Sequence, residues 1–179
     1  FIQNIADIFR YNLKSLDELV PLSDELEFVS NYMSILKMRF GERIAYEYNI
    51  DKDSLGIKIP RITLQPIIEN AYIHGLQNLE RNGTIRLETK VENEVLLISI
   101  EDDGMGMTKE QVDNLINEDN AGETAVENSN KHLSGIGVSN VIKRLKLSFQ
   151  VEENQKIIDI VSTPDKGTKV ILSLPLNNR

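Results

Sequence analysis

A chain of 179 residues with 40% hydrophobic content can form one or two domains with a real core, and no apolar run in it approaches the ~20 residues of a membrane span. Its formal charge of −8 argues against nucleic acid or an anionic membrane surface as partner. The lack of cysteine excludes disulfides, a thiol nucleophile and a structural zinc site, and His74 and His132 are too few for a histidine metal cluster.

The chain opens on Phe1 in what reads as the middle of a helix, as a fragment of a longer protein would. Residues 1–41 are expected to form two helices. Phe1, Ile5, Ile8 and Phe9 mark one face of the first, and Pro21 breaks it. Ser23, Asp24 and Glu25 suit the start of the second. Leu22, Leu26, Val29, Met33, Leu36 and Phe40 then alternate spacings of three and four, the seam of a helical bundle, and Gly41 is a natural stop. Such a seam serves either for packing onto the neighbouring domain or for a dimer.

From residue 42 the pattern is mixed. Ile44, Tyr46, Tyr48 and Ile50 alternate as a strand, and a helix is expected over 63–77 with Pro66 in its first turn. On that helix Ile67, Ile68, Ala71 and Gly75 share one side, while Asn70 and His74 are neighbours on another. A neutral amide oxygen beside an imidazole suits a Mg²⁺–phosphate complex, although a solvated polar face often carries the same pair.

Ile85 to Val91 is expected to pair, through a turn near Asn93, with Val95 to Glu101. Leu96, Ile98 and Ile100 alternate on its buried face, and Asp102 continues their phase. A carboxylate in phase with the core is unfavourable unless a donor meets it, and the exocyclic amino group of a purine is such a donor. Asp103 is out of phase and can face water. Gly104 and Gly106, ahead of Met107, then permit close backbone approach or positive φ.

A helix is expected over 108–117. The polar run 118–134 lacks apolar periodicity and is long for a loop inside a compact domain. Gly135, Ile136 and Gly137 precede a helix over 138–147 whose Val138, Val141, Ile142 and Leu145 recur at helical spacing. Glycines at a helix start can turn free N–H groups toward an anion, but this is not the dinucleotide fingerprint, which needs a third glycine and a preceding strand. Strands over 156–162 and 168–174 follow, with Thr168 in phase with Val170, Leu172 and Leu174.

These three blocks, in this order, resemble the N, G1 and G2 boxes of the ATP-binding fold shared by gyrase, the heat-shock chaperone, histidine kinases and the mismatch-repair ATPase. The stretch Leu64 to Gly75 is especially similar to the LytS/YesM-like group of sensor histidine kinases. The likeness extends to Phe9-Arg10-Tyr11, Leu22 to Leu26, Tyr32 with Arg39-Phe40, and Gly167 to Val170, so it covers nearly the whole chain.

The resemblance implies an α+β fold: a two-layer sandwich of the histidine-kinase ATPase type, with a mixed sheet covered by helices on one face. A helical dimerisation segment at 1–41 would precede an ATP-binding domain at 42–179. ATP and Mg²⁺ are the implied cofactors. Asn70 would ligate the metal, His74 would approach the phosphates, and Asp102 would accept from the adenine amino group with Thr168 supporting through a water. Gly104 and Gly106, with Met107 beside them, would admit base and ribose. Gly135 and Gly137, with Ile136 and Val138, would hinge a lid at 118–134 and present N–H groups to the phosphates.

The implied reaction moves the γ-phosphoryl of ATP to a histidine and on to a response regulator. Neither histidine here matches the family's acceptor motif, which lies ahead of Arg10-Tyr11, so the chain is expected not to phosphorylate itself. The implied partners are a second copy, through the N-terminal helices, and the regulator. The implied location is the cytoplasmic portion of a bacterial membrane sensor, with no membrane contact from this segment. The family's ATPases carry a general-base glutamate four residues before the asparagine, whereas Pro66 stands here, so slow hydrolysis is expected. Glu69 and His74 are left as assisting groups. The rival readings are a dimerising module with a vestigial or regulatory nucleotide pocket, and a gyrase- or chaperone-like ATPase.

Overall fold

Apolar residues at every second position make one face of each strand adhesive and leave the other to water, so the strands assemble into a sheet that helices cover on one side. The computed structural model describes residues 18–40, 43–77, 79, 81–117, 133–152 and 155–176, with Arg39, Phe40 and 133–136 described by backbone only. The elements are β1 (Leu19–Pro21), α1 (Leu22–Phe40), β2 (Ile44–Ile50), β3 (Lys58–Pro60), α2 (Gln65–Asn70), a π-helical turn (Ala71–Leu76), β4 (Gly83–Glu92), β5 (Val95–Asp102), α3 (Lys109–Asn117), α4 (Leu133–Ser148), β6 (Ile158–Thr163) and β7 (Gly167–Pro175).

The main sheet has the order β2-β4-β5-β7-β6, while β1 and β3 form a separate antiparallel pair. Only β2 and β4 run parallel; the other neighbours in the main sheet are antiparallel, so it is mixed as expected. On the inner face Ile85, Leu87, Leu96, Ile98, Ile100, Leu172 and Leu174 are all buried, and they meet Ile67, Ile68, Ala71, Val141 and Leu145 of the helices. The outer face carries a ladder of charges across four strands. Glu47 on β2 accepts from Arg86 on β4 at 2.6 Å, and Glu101 on β5 pairs with Lys169 on β7 at 3.0 Å. These half-exposed pairs are worth little individually, and they serve to keep that face wet.

Helix α1 contributes to the same core. Leu22, Val29, Met33 and Leu36 are buried in it, and Leu26 packs against it. The seam is therefore used for packing within the chain, the first of the two uses its spacing allows. The first helix, expected to run up to Pro21, lies outside the described residues as far as residue 17, like most of the lid, and Leu19–Pro21 form strand β1 where its end was expected. Helix α4 corrects the reading of residues 133–137. It begins at Leu133, five residues ahead of the expected start, so Gly135 and Gly137 sit inside its first turns and not in a loop before it.

Candidate functional site

The motif helix is composite. Residues Gln65–Asn70 are α-helical, and Ala71–Leu76 widen into a π turn closed by the bond from Gln77 N–H to the Tyr72 carbonyl at 2.8 Å. Such π segments occur frequently at functional sites. Here it lets the Gly75 carbonyl accept the Met105 N–H at 2.9 Å, which ties the helix to the glycine loop after β5. Periodicity alone gave no sign of this widening.

A cavity of about 490 Å³ opens between this helix, the inner ends of β5 and β7, and α3. Asn70, His74, Asp102 and Thr168 provide its polar lining, Ile67, Ala71, Ile100, Val138 and Val170 an apolar wall, and Met105, Gly106 and Met107 its rim. The size and the few convergent polar groups are those of a small-molecule site. Gln111 and Asn114 of α3 also line it, and the sequence pattern did not single them out.

Asp102 is only 4% exposed, the buried polar end of β5. Its Oδ1 accepts the Gly104 N–H at 2.9 Å, and the Thr168 backbone N–H also donates to the carboxylate. Two bonds leave about half of a carboxylate's acceptor capacity unspent, and the residue lines the cavity. Burial raises its pKa to about 6 against these two bonds, and the neighbouring charges of Asp103 and Glu101 add to the rise. Close approach explains the adjacent glycines. A Cβ on Gly75 would strike the Asp102 carboxylate, and one on Gly104 would strike the Gly75 carbonyl. Gly106 instead needs its positive φ of 64°.

Asp103, expected to face water, has work of its own. It accepts the Thr84 N–H at 2.8 Å and pairs with Arg81 at 3.3 Å, while Arg81 also donates to the Asp103 carbonyl. This fastens the loop to the start of β4.

Ser162 on β6 was also missed, being an ordinary strand serine in sequence. Its hydroxyl accepts the Met107 N–H at 2.8 Å and lies 2.8 Å from the Thr168 hydroxyl. It therefore joins the glycine loop to the threonine that lines the cavity. His74 stands at the exposed rim, where partial burial lowers its pKa and so favours the neutral imidazole, which still has one N–H to donate.

Glu69 and Gly137 fall outside the cavity. Glu69 turns to α1, where its Oε1 accepts the Tyr32 hydroxyl at 2.6 Å, so it has a protein partner and not a ligand-facing role. Gly137 packs toward Pro66, with space for a Cβ at 3.4 Å from the proline Cβ. Gly135 and Ile136 lie in the first turn of α4. Among the described residues, no three His, Asp or Glu side chains gather as a metal cage. A divalent ion here would rest on Asn70, water and the ligand's own oxygens, as Mg²⁺ with phosphates commonly does.

Comparison with known proteins agrees with this geometry. Residues 58–178 match the family described as histidine kinase-, DNA gyrase B-, and HSP90-like ATPase, and residues 1–44 match the histidine kinase family. The chain is 29% identical over 177 residues to sensor histidine kinase YesM of Bacillus subtilis, covering 99% of this chain and 27% of that protein. It is 33% identical over 175 residues to sensor histidine kinase BtsS of Escherichia coli, covering 97% of this chain and 27% of that protein. The chain thus spans about a quarter of the length of these curated relatives. Among solved structures, the histidine kinase domain of the Erythrobacter litoralis EL346 blue-light activated histidine kinase superposes with a TM-score of 0.58 at 17% identity, covering 98% of this chain and 73% of that one.

Proposed function

We propose that this chain, which belongs to the histidine kinase-, DNA gyrase B- and HSP90-like ATPase family, is the ATP-binding catalytic part of a two-component sensor histidine kinase. The observation that carries the reading is Asp102: a buried carboxylate with acceptor capacity left over, lining a cavity that an amide and an imidazole also line. The carboxylate receives the adenine amino group, and Thr168 supports it through a water. The apolar wall of Ile100, Val138 and Val170 takes the faces of the base. Asn70 and His74 take the phosphate end, where Asn70 supplies an oxygen to Mg²⁺ and His74 donates an N–H to a phosphate oxygen. Bound there, Mg²⁺ supplies neutralisation of phosphate charge.

Phosphoryl transfer asks the protein mainly for position and charge neutralisation, so no nucleophile is needed within the cavity. The γ-phosphoryl passes to an imidazole nitrogen of a histidine outside this chain, and ADP leaves. The phosphohistidine then serves a response-regulator aspartate. The lid at 118–134 belongs to the same proposal, as do a cytoplasmic position in a membrane-anchored parent and the division at residue 41. No helix among the described residues is long and apolar enough to cross a membrane. A second copy would dock through residues 1–41. Leu22, Val29, Met33 and Leu36 are already engaged internally and are not assigned to that contact. With Pro66 at the general-base position and Glu69 bonded to Tyr32, hydrolysis in solution is slow.

Isothermal titration with Mg-ATP tests the reading: the native chain binds and Asp102→Ala does not. Absence of binding by the native chain, or equal binding by both, would sink it.

A further inference from the structure

Helix α1 grips the motif helix at two points. Glu25 is fully buried and accepts three successive N–H groups ahead of α2: Ile62 at 2.6 Å, Thr63 at 2.8 Å and Leu64 at 3.1 Å. Two turns further along α1, Tyr32 donates to Glu69 at 2.6 Å. Seven residues separate Glu25 from Tyr32, which places both on one face of α1 and about 10 Å apart along its axis.

The other side of the same loop is also held. Arg144 of α4 donates to the carbonyls of Arg61 at 2.6 Å and Ile62 at 2.8 Å, and Ile62 is held at a φ of 56°. A β-branched residue at positive φ persists only when its surroundings over-determine it. The start of α2 is therefore pinned, and its free variable is rotation about its own axis. Tyr32 acts on that variable, because Glu69 is the residue immediately before Asn70. Burial, and then the Glu69 carboxylate, push the Tyr32 hydroxyl above its ordinary pKa, so it remains a donor at neutral pH.

We propose that Tyr32 and Glu69 are positioning residues of the nucleotide site: the hydrogen bond between them sets the direction in which Asn70 offers its amide oxygen to the metal–phosphate end of the ligand. The inference rests on the nucleotide reading above. The base end is held chiefly by Gly104, Thr168 and Ser162 on the glycine loop and the strands, with one tie to the motif helix from the Met105 N–H to the Gly75 carbonyl. Displacement of α1 consequently reaches the phosphate end first and the base end much less.

Titration of the 179-residue chain with ATP, once in saturating Mg²⁺ and once in EDTA, separates positioning from plain support. Tyr32→Phe is expected to weaken Mg-ATP by about fivefold to tenfold and to leave metal-free ATP within about twofold. Glu69→Leu is expected to give the same pattern, and the double variant no more than the larger single loss. Thermal melts establish that each variant is folded; if Glu69→Leu is not, Tyr32→Phe, which removes one atom, decides alone. Equal losses with and without metal, additive losses, or native Mg-ATP affinity in Tyr32→Phe would each overturn the inference. A native chain that binds neither form of ATP would overturn the nucleotide reading, and the inference with it. A native chain that binds alongside an unaffected Tyr32→Phe overturns the inference alone.

Discussion

Asp102 and Thr168 are direct partners in the β5–β7 register, and both line the cavity. The Thr168 backbone donates to the Asp102 carboxylate, and its side-chain hydroxyl meets Ser162. The base end of the site is thus built on paired strands and inherits their rigidity, while the phosphate end is built on one composite helix. Two ends with different supports can respond differently to the same disturbance.

Replacing Asp102 should move binding and stability in opposite directions. Its folded pKa of about 6 lies above the ordinary carboxyl range of the unfolded chain, so the native state holds the proton more tightly. The stability this provides is complete below the unfolded value and is lost as pH rises through about 6. At pH 7.5 the ionised, buried carboxylate is therefore a burden on the fold. Asp102→Asn is expected to gain about 1–3 kcal/mol there and less at pH 4, while losing ~30-fold or more in ATP affinity. Calorimetric melts at the two pH values, with a titration at the higher one, measure both.

The strand that carries Asp102 was legible because alternation of Leu96, Ile98 and Ile100 extends without a break to the aspartate, and burial follows that alternation to the last residue. The start of α4 was not legible. Gly135 and Gly137 read locally as loop formers, but the backbone at both is helical, and Gly137 packs on Pro66 of another helix. The π turn was hidden for a related reason: periodicity reports which face is apolar and says nothing of which carbonyl an N–H chooses. Glu25 looked like an acidic residue in a first turn, yet its partners are the N–H groups of residues 62–64, a contact that no local pattern encodes. Side chains that work within their own element were readable, and those that bridge elements were not.

The glycines should separate by mechanism. Gly106 has a φ of 64°, and a Cβ there would collide with the Thr163 carbonyl, so Gly106→Ala is expected to destabilise by about 1–3 kcal/mol. Gly137 is helical with ordinary space for a methyl group, so Gly137→Ala is expected to stabilise by about 0.5–1 kcal/mol through a less flexible unfolded chain. Urea unfolding of the two variants checks the signs, and a stable Gly106→Ala would refute the account of the loop.

Glu25 is expected to be among the least replaceable residues outside the cavity. Truncation to alanine strands three N–H groups at the head of α2, two of them buried, at a cost of about 3 kcal/mol. Glutamine retains one acceptor oxygen and should recover part of that loss. Unfolding midpoints in the order native, Glu25→Gln, Glu25→Ala would bear this out, and indifference to either substitution would contradict it.

Ser162 offers the cleanest separation of site geometry from fold. Its hydroxyl takes the Met107 N–H and contacts the Thr168 hydroxyl, yet it lies on the sheet's edge strand and is only partly buried. Ser162→Ala leaves the Met107 N–H without its acceptor and frees Thr168 to rotate, so the loop at the cavity rim loosens while the sheet stays paired. The expected result is a loss of about fivefold to tenfold in ATP affinity, with unfolding free energy changed by ~1 kcal/mol or less. Ser162→Thr keeps the hydroxyl at a β-compatible position and should retain most of the binding. Parallel titrations and urea melts decide the matter. If alanine binds as tightly as serine, the loop is held well enough by its other bonds, those of Gly75, Gly104 and Asp103 among them, and Thr168 needs no partner to serve the base.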